Sequence, residues 1–122
     1  MEPTGLEQIV GKEIDTVSFV RDYVEIRIDY SILRALTNPT GSVDKITWRF
    51  GDPGSADTML RYIGRWVFAV EVIEGQHLML RLDGDYTFVI SLRQEDRRCA
   101  EAAHFVPARP DGSLDSAAMF VW

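Results

Sequence analysis

Residues 9–29, IVGKEIDTVSFVRDYVEIRID, return in the same order of residue types at residues 62–83, YIGRWVFAVEVIEGQHLMLRLD. Aligning Gly11 with Gly64 sets Lys12 on Arg65, Ile14 on Val67, Val17 on Val70 and Phe19 on Val72. One extra residue in the second link then brings Ile26, Arg27, Ile28 and Asp29 onto Leu80, Arg81, Leu82 and Asp83. The match predicts two copies of one unit, over about 4–36 and 55–92, followed by a C-terminal segment 93–122.

Within each copy the hydrophobic period is two. Val24, Ile26 and Ile28 alternate with Glu25, Arg27 and Asp29, and Leu78, Leu80 and Leu82 with Met79, Arg81 and Asp83, as in half-buried antiparallel strands. The longer step from Ile14 to Val17, or Val67 to Val70, predicts a bulge early in the preceding strand. DGD at 83–85 is a tight-turn signal, and Tyr86, Phe88, Ile90 and Leu92 give a third strand. Ahead of the strands, TGLEQIVG and SADTMLRYIG read as brief helices closed by Gly11 and Gly64. The first has Thr4 and Glu7 at capping-box spacing, and the second has Ser55 as N-cap and Met59, Leu60 and Ile63 as its apolar stripe.

Between the copies, Ile46, Trp48 and Phe50 alternate with polar residues and add a strand. Past Leu92, RQEDRRCAEAAHF reads as weakly helical, and the apolar end AMFVW as an edge strand with Phe120 or Trp122 packed on the sheet. The expected fold class is α+β and mainly antiparallel β: two pseudo-repeated helix-plus-three-strand meanders forming one curved sheet or two packed sheets, plus a C-terminal edge strand. A closed barrel fits the same pattern. The 122 residues suit a single domain, 1–122, which buries roughly two thirds of its unfolded surface.

Composition bounds the function. Thirteen Lys and Arg against nineteen Asp and Glu give a net charge of −6, the wrong sign for a phosphate backbone, so no direct nucleic-acid contact is expected. The first ten residues carry no signal-peptide pattern, no later stretch is apolar for the eighteen or so residues that span a bilayer, and Cys99 has no internal partner. These features predict a cytoplasmic protein without a membrane contact.

Chemistry-bearing residues are few. Glu101 and His104 share helical spacing but lack the third and fourth ligands of a metal site, so no metal or cofactor is expected. Cys99 with His104 imitates a thiolate and its base, yet a cysteine beside alanines reads as a small buried residue. Arg97 and Arg98 have the forked chemistry that grips a carboxylate. GDPG at 51–54 reads as a turn rather than a phosphate cradle, Asp29 and Asp83 as turn residues rather than a catalytic pair, and His77 as a turn or surface residue rather than a general base. Nothing here assembles an enzyme's active site.

The IGR preceding a strand pair, SLRQEDR after the third strand, EAAHF and the terminal VW together resemble small bacterial proteins associated with polymorphic-toxin and contact-dependent growth inhibition loci. The resemblance runs from about Gly64 onward and implies an immunity partner of a toxin. It supplies no functional residue. Charge supports the same idea independently, because an acidic protein associates quickly with a basic nuclease and can place carboxylates where phosphates would lie. The candidate partner-binding residues are Glu71, Glu74, Asp83, Asp85, Glu95 and Asp96. The alternative is a module without catalytic activity, either binding a small ligand in a groove lined by Trp48, Trp66 or Tyr86, or pairing edge strands as a homodimer.

Overall fold

Residues 5–21 and 23–122 are described in this computed structural model, so the capping position expected at Thr4 lies outside the described residues. The chain forms β1 (Ile14–Val20), β2 (Tyr23–Ile28), β3 (Ser31–Ala35), β4 (Thr40–Val43), β5 (Ile46–Arg49) and a short helix α1 (Ser55–Leu60). It continues through β6 (Val67–Ile73), β7 (His77–Leu82), β8 (Tyr86–Ser91), β9 (Ala103–Val106) and β10 (Phe120–Val121). These strands make two five-stranded antiparallel sheets, ordered β1-β2-β3-β9-β10 and β5-β4-β8-β7-β6.

Alternation sets the inner faces. Val24, Ile26 and Ile28 of β2 and Leu78, Leu80 and Leu82 of β7 are fully buried, while Glu25, Arg27, Met79 and Arg81 point away from the core. In β1 the register slips between Ile14 and Thr16, and in β6 between Val67 and Ala69. Each slip is a bulge, and it lets Ile14 and Val17, or Val67 and Val70, face the core across a three-residue step. Two turns close on adjacent left-handed residues, Asp29–Tyr30 and Asp44–Lys45, the backbone that a two-residue hairpin requires.

The first sheet's edge meets the second's at a short junction. Gly11 N–H donates to the Val67 carbonyl at 2.7 Å and Gly64 N–H to the Ile14 carbonyl at 2.8 Å. Ile14 N–H reaches the Arg65 carbonyl and Val67 N–H the Lys12 carbonyl, each at 2.9 Å, so that Glu13 pairs with Trp66. Inner residues of both sheets then join one hydrophobic cluster with Leu6, Ile9, Met59 and Tyr62.

Several segments depart from the expectation. Residues Leu6–Ile9 form a 3-10 turn, too short to be an α-helix, that buries Leu6 and Ile9. Gly54, at φ 82°, takes the N-cap of α1, and Ser55 lies inside, buried, with its hydroxyl accepting from Gly51 N–H at 3.1 Å. The helical period through Ser55 and Met59 leads to Tyr62, so the apolar stripe is not the expected one and Leu60 and Ile63 are each 46% exposed. The segment read as helical ends in β9, where buried Ala103 and Phe105 pair with Ala35 and Leu33; sheet context overrides alanine's helical preference.

β4 was not expected, because Thr40, Gly41 and Ser42 show no apolar alternation. A Cβ on Gly41 would lie 2.7 Å from the Tyr62 hydroxyl and nearer still to the Thr87 carbonyl, so this strand is thin where it crosses the core. At the C-terminus, β10 is the edge of the first sheet, with Phe120 and Trp122 packed against the core.

Candidate functional site

The six acidic candidates fall at two ends of the second sheet. Glu71 lies in β6 and Glu74 in the β6–β7 link. His77 pairs with Ser91 across β7 and β8, and Leu92 N–H donates to the Gln76 carbonyl at 2.9 Å. The 3-10 turn Gln94–Asp96 follows, so Glu95 and Asp96 share that end with Glu71 and Glu74. Asp83 and Asp85 occupy the β7–β8 turn, at the other end of a six-residue strand, about 20 Å away.

These carboxylates have different work. Asp83 accepts Trp66 N–H at 2.6 Å and faces Arg65 at 3.4 Å, so it fastens the turn to β6. Asp96 accepts from the Ser91 hydroxyl at 2.5 Å, and Glu71 accepts from His77 Nε2–H at 2.7 Å. Glu74, Asp85 and Glu95 are exposed and have no hydrogen-bond or ion-pair partner among the described residues. Glu74 and Glu95 are therefore the unspent charges at the hairpin end.

The remaining sequence candidates have structural employment. Glu101 and His104 do meet, at 2.9 Å, but His104 stands in β9, where its Nδ1 accepts from Arg34 at 3.0 Å and its Nε2–H donates to Glu101. Arg34 also donates to Glu25 at 2.8 Å, completing a polar row across β2, β3 and β9 that alternation alone placed on the outer face. A histidine held by a guanidinium has no free lone pair for a thiol or a metal. Cys99 is exposed rather than buried, its thiol directed to the Glu101 carbonyl at 3.2 Å. Arg97 donates to the Leu92 and Ala100 carbonyls and Arg98 to that of Leu36, so both bind backbone carbonyls. No group of three or more metal-ligating side chains gathers among the described residues, and none of their helices is long and apolar enough to cross a membrane.

Of the residues expected to line a groove, Trp48 borders an open cleft of about 480 Å³ with Thr40, Gly41 and Arg49. Trp48 and Tyr86 are buried, and Tyr62 lies between them with ring centroids 5.8 and 5.6 Å away, while Trp66 is 52% exposed at the surface. The Tyr62 hydroxyl accepts Trp48 Nε1–H at 2.8 Å and donates to the Thr87 carbonyl, and burial pushes its pKa well above the usual phenol value. Sequence reasoning missed Tyr62; the i, i+4, i+7 spacing of Ser55, Met59 and Tyr62 was its signal. A cleft of about 520 Å³ opens elsewhere, beside the Asp29–Tyr30 turn, between Lys12 and Arg109.

No protein-family model matches the chain, and no curated protein or solved structure is significantly similar to it.

Proposed function

We propose that this chain is a cytoplasmic, non-catalytic immunity protein that binds and neutralises a cognate toxin, a basic nuclease domain, through the acidic end of its second sheet. The observation that carries the reading is the gathering of Glu71, Glu74, Glu95 and Asp96 there, with Glu74 and Glu95 unpaired. Unpaired exposed carboxylates steer a basic partner and then pair with it at the rim of the contact. The His77–Glu71 and Ser91–Asp96 hydrogen bonds hold two of the four acids in place before binding, which lowers the ordering cost.

The scaffold under this surface is, on the same reading, one unit used twice. Equivalent bulges in β1 and β6, matching burial in β2 and β7, and junction bonds that exchange Gly11 for Gly64 and Ile14 for Val67 support two copies related by a pseudo-twofold axis between Glu13 and Trp66.

The test is capture of partners from the source organism's lysate by the wild type, by a Glu74→Lys, Glu95→Lys double variant and by Asp85→Lys, at low and high salt. A basic toxin domain is expected with the wild type and Asp85→Lys. The double variant should bind it at least tenfold more weakly, about 1.4 kcal/mol. Recovery of that domain undiminished by both salt and the double variant would overturn the reading. A homodimeric structural module is the second reading, favoured by one feature, the edge strand β5 with Ile46 72% exposed. Light scattering decides it.

A further inference from the structure

At the junction of the two sheets, Glu13 and Trp66 face each other as an antiparallel pair. The flanking bonds run from Ile14 N–H to Arg65 and from Val67 N–H to Lys12, so the pair is of the close, non-hydrogen-bonded kind, with Cβ atoms about 4.5–5.5 Å apart. Ile14 and Val67 beside them are buried, and Glu13 and Trp66 accordingly face solvent. Two residues along, Phe68 stands at the β6 bulge, 58% exposed.

The basic residues on either side of the pair have acids of their own, Lys12 with Asp29 at 3.1 Å and Arg65 with Asp83 at 3.4 Å, whereas Arg81, opposite Ala69 across the bulge, is exposed and lies farther along β6 than Glu13. Glu13 has no ion-pair or hydrogen-bond partner among the described residues, and its carboxylate lies over the bare backbone of Gly64. An exposed indole beside an unpaired carboxylate attracts a positive charge twice, through the ring's electron-rich face and through the ion pair.

We propose that Glu13 and Trp66, with Phe68 beside them, receive one arginine or lysine side chain of a basic protein partner. The charged head lies over the indole and against the carboxylate, and Phe68 covers the alkyl stem. The proposal rests on the partner being basic, as read above, and adds a contact separate from the Glu74 and Glu95 end. A second copy of this chain is a poor occupant, because its net charge of −6 opposes close approach. An anionic membrane surface has the wrong sign for the same reason.

The test is an NMR titration of the full-length ¹⁵N-labelled chain with the peptide Gly-Arg-Gly-Arg-Gly, and with its citrulline counterpart, which is neutral and of the same shape. The Trp66 indole signal is assigned by its loss in Trp66→Leu; if that variant fails to fold, Glu13→Gln alone serves. The arginine peptide should shift the Trp66 indole and the Glu13 amide saturably, the citrulline peptide should not, and Glu13→Gln should weaken the effect several-fold. Shifts confined to the amides of Glu74 and Glu95 would overturn this site and leave the acidic-surface reading standing. No shift anywhere would overturn both, and shifts on dilution without peptide would assign the surface to a second copy instead.

Discussion

The meanders β1–β3 and β6–β8 share a pairing scheme but not a filling. Opposite Ile28, Ile26 and Val24, β3 sets Ser31, Leu33 and Ala35; opposite Leu82, Leu80 and Leu78, β8 sets Tyr86, Phe88 and Ile90. The first sheet recovers bulk from later in the chain, where the Phe105 and Phe120 rings lie 6.3 Å apart at a 33° tilt. The second recovers none there and builds inward instead, with Tyr62 and Trp48 against Phe88 at 5.8 and 6.1 Å. One register accommodates two fillings of the shared core because interior packing constrains total volume, not which strand supplies it.

The largest effect should come from Phe88→Ala. Its neighbour across the strand pair is Gly41, which has no side chain to move into the hole, so a loss of about 4 kcal/mol is expected in urea unfolding. Leu33→Ala at the corresponding depth of the first sheet should cost nearer 3 kcal/mol. The reverse order would mean that the aromatic pile collapses more readily than the aliphatic one, and the contrast between the two fillings would lose its energetic content.

Tyr62→Phe sharpens the contrast by removing one oxygen. Trp48 Nε1–H and the Thr87 carbonyl then lose their partner in the core, at about 1–3 kcal/mol. Burial raises the phenol's pKa, so the folded state holds that proton more tightly than the unfolded chain does. This stabilisation is complete below the unfolded tyrosine value of about 10 and is lost as pH rises beyond it. Wild-type stability should therefore fall above pH ~10, and Tyr62→Phe should flatten that decline. An identical alkaline slope in the variant would show that other groups govern it.

What the sequence disclosed follows from the same physics. Strands whose inner positions are large and apolar, β2, β7 and β8, were legible from alternation, and so were the early bulges of β1 and β6. β4 and β9 were not, because Gly41 and Ala103 occupy inner positions where close approach leaves no room for the residues that announce a strand. The six acids were named together from the sequence, but the fold divides them between two ends of the second sheet, and their contacts were not legible. Nothing local to Asp96 shows that Ser91 will bond it, or that Asp83 will hold a backbone amide of β6. Trp66 was named from the sequence as a possible groove wall, whereas its pairing with Glu13 leaves it 52% exposed at the surface.

The smallest predicted difference tests the turns that end β2 and β7. Lys12 and Asp29 form a simple ion pair, each about half exposed, and Lys12→Met should cost only about 0.3 kcal/mol. Arg65, which reaches the second turn from ahead of β6, is 33% exposed, lies 4.1 Å from the Tyr86 ring centroid and donates to its hydroxyl at 3.2 Å as well as facing Asp83. Its planar group is packed as much as it is paired, so Arg65→Met should cost about 1 kcal/mol. Salt separates the two terms. In 1 M NaCl the Lys12 effect should vanish, since the screening length falls to about 3 Å, while most of the Arg65 effect should remain. Equal costs, or equal loss in salt, would mean that Tyr86 adds nothing to the second turn and that the meanders differ only in their interiors.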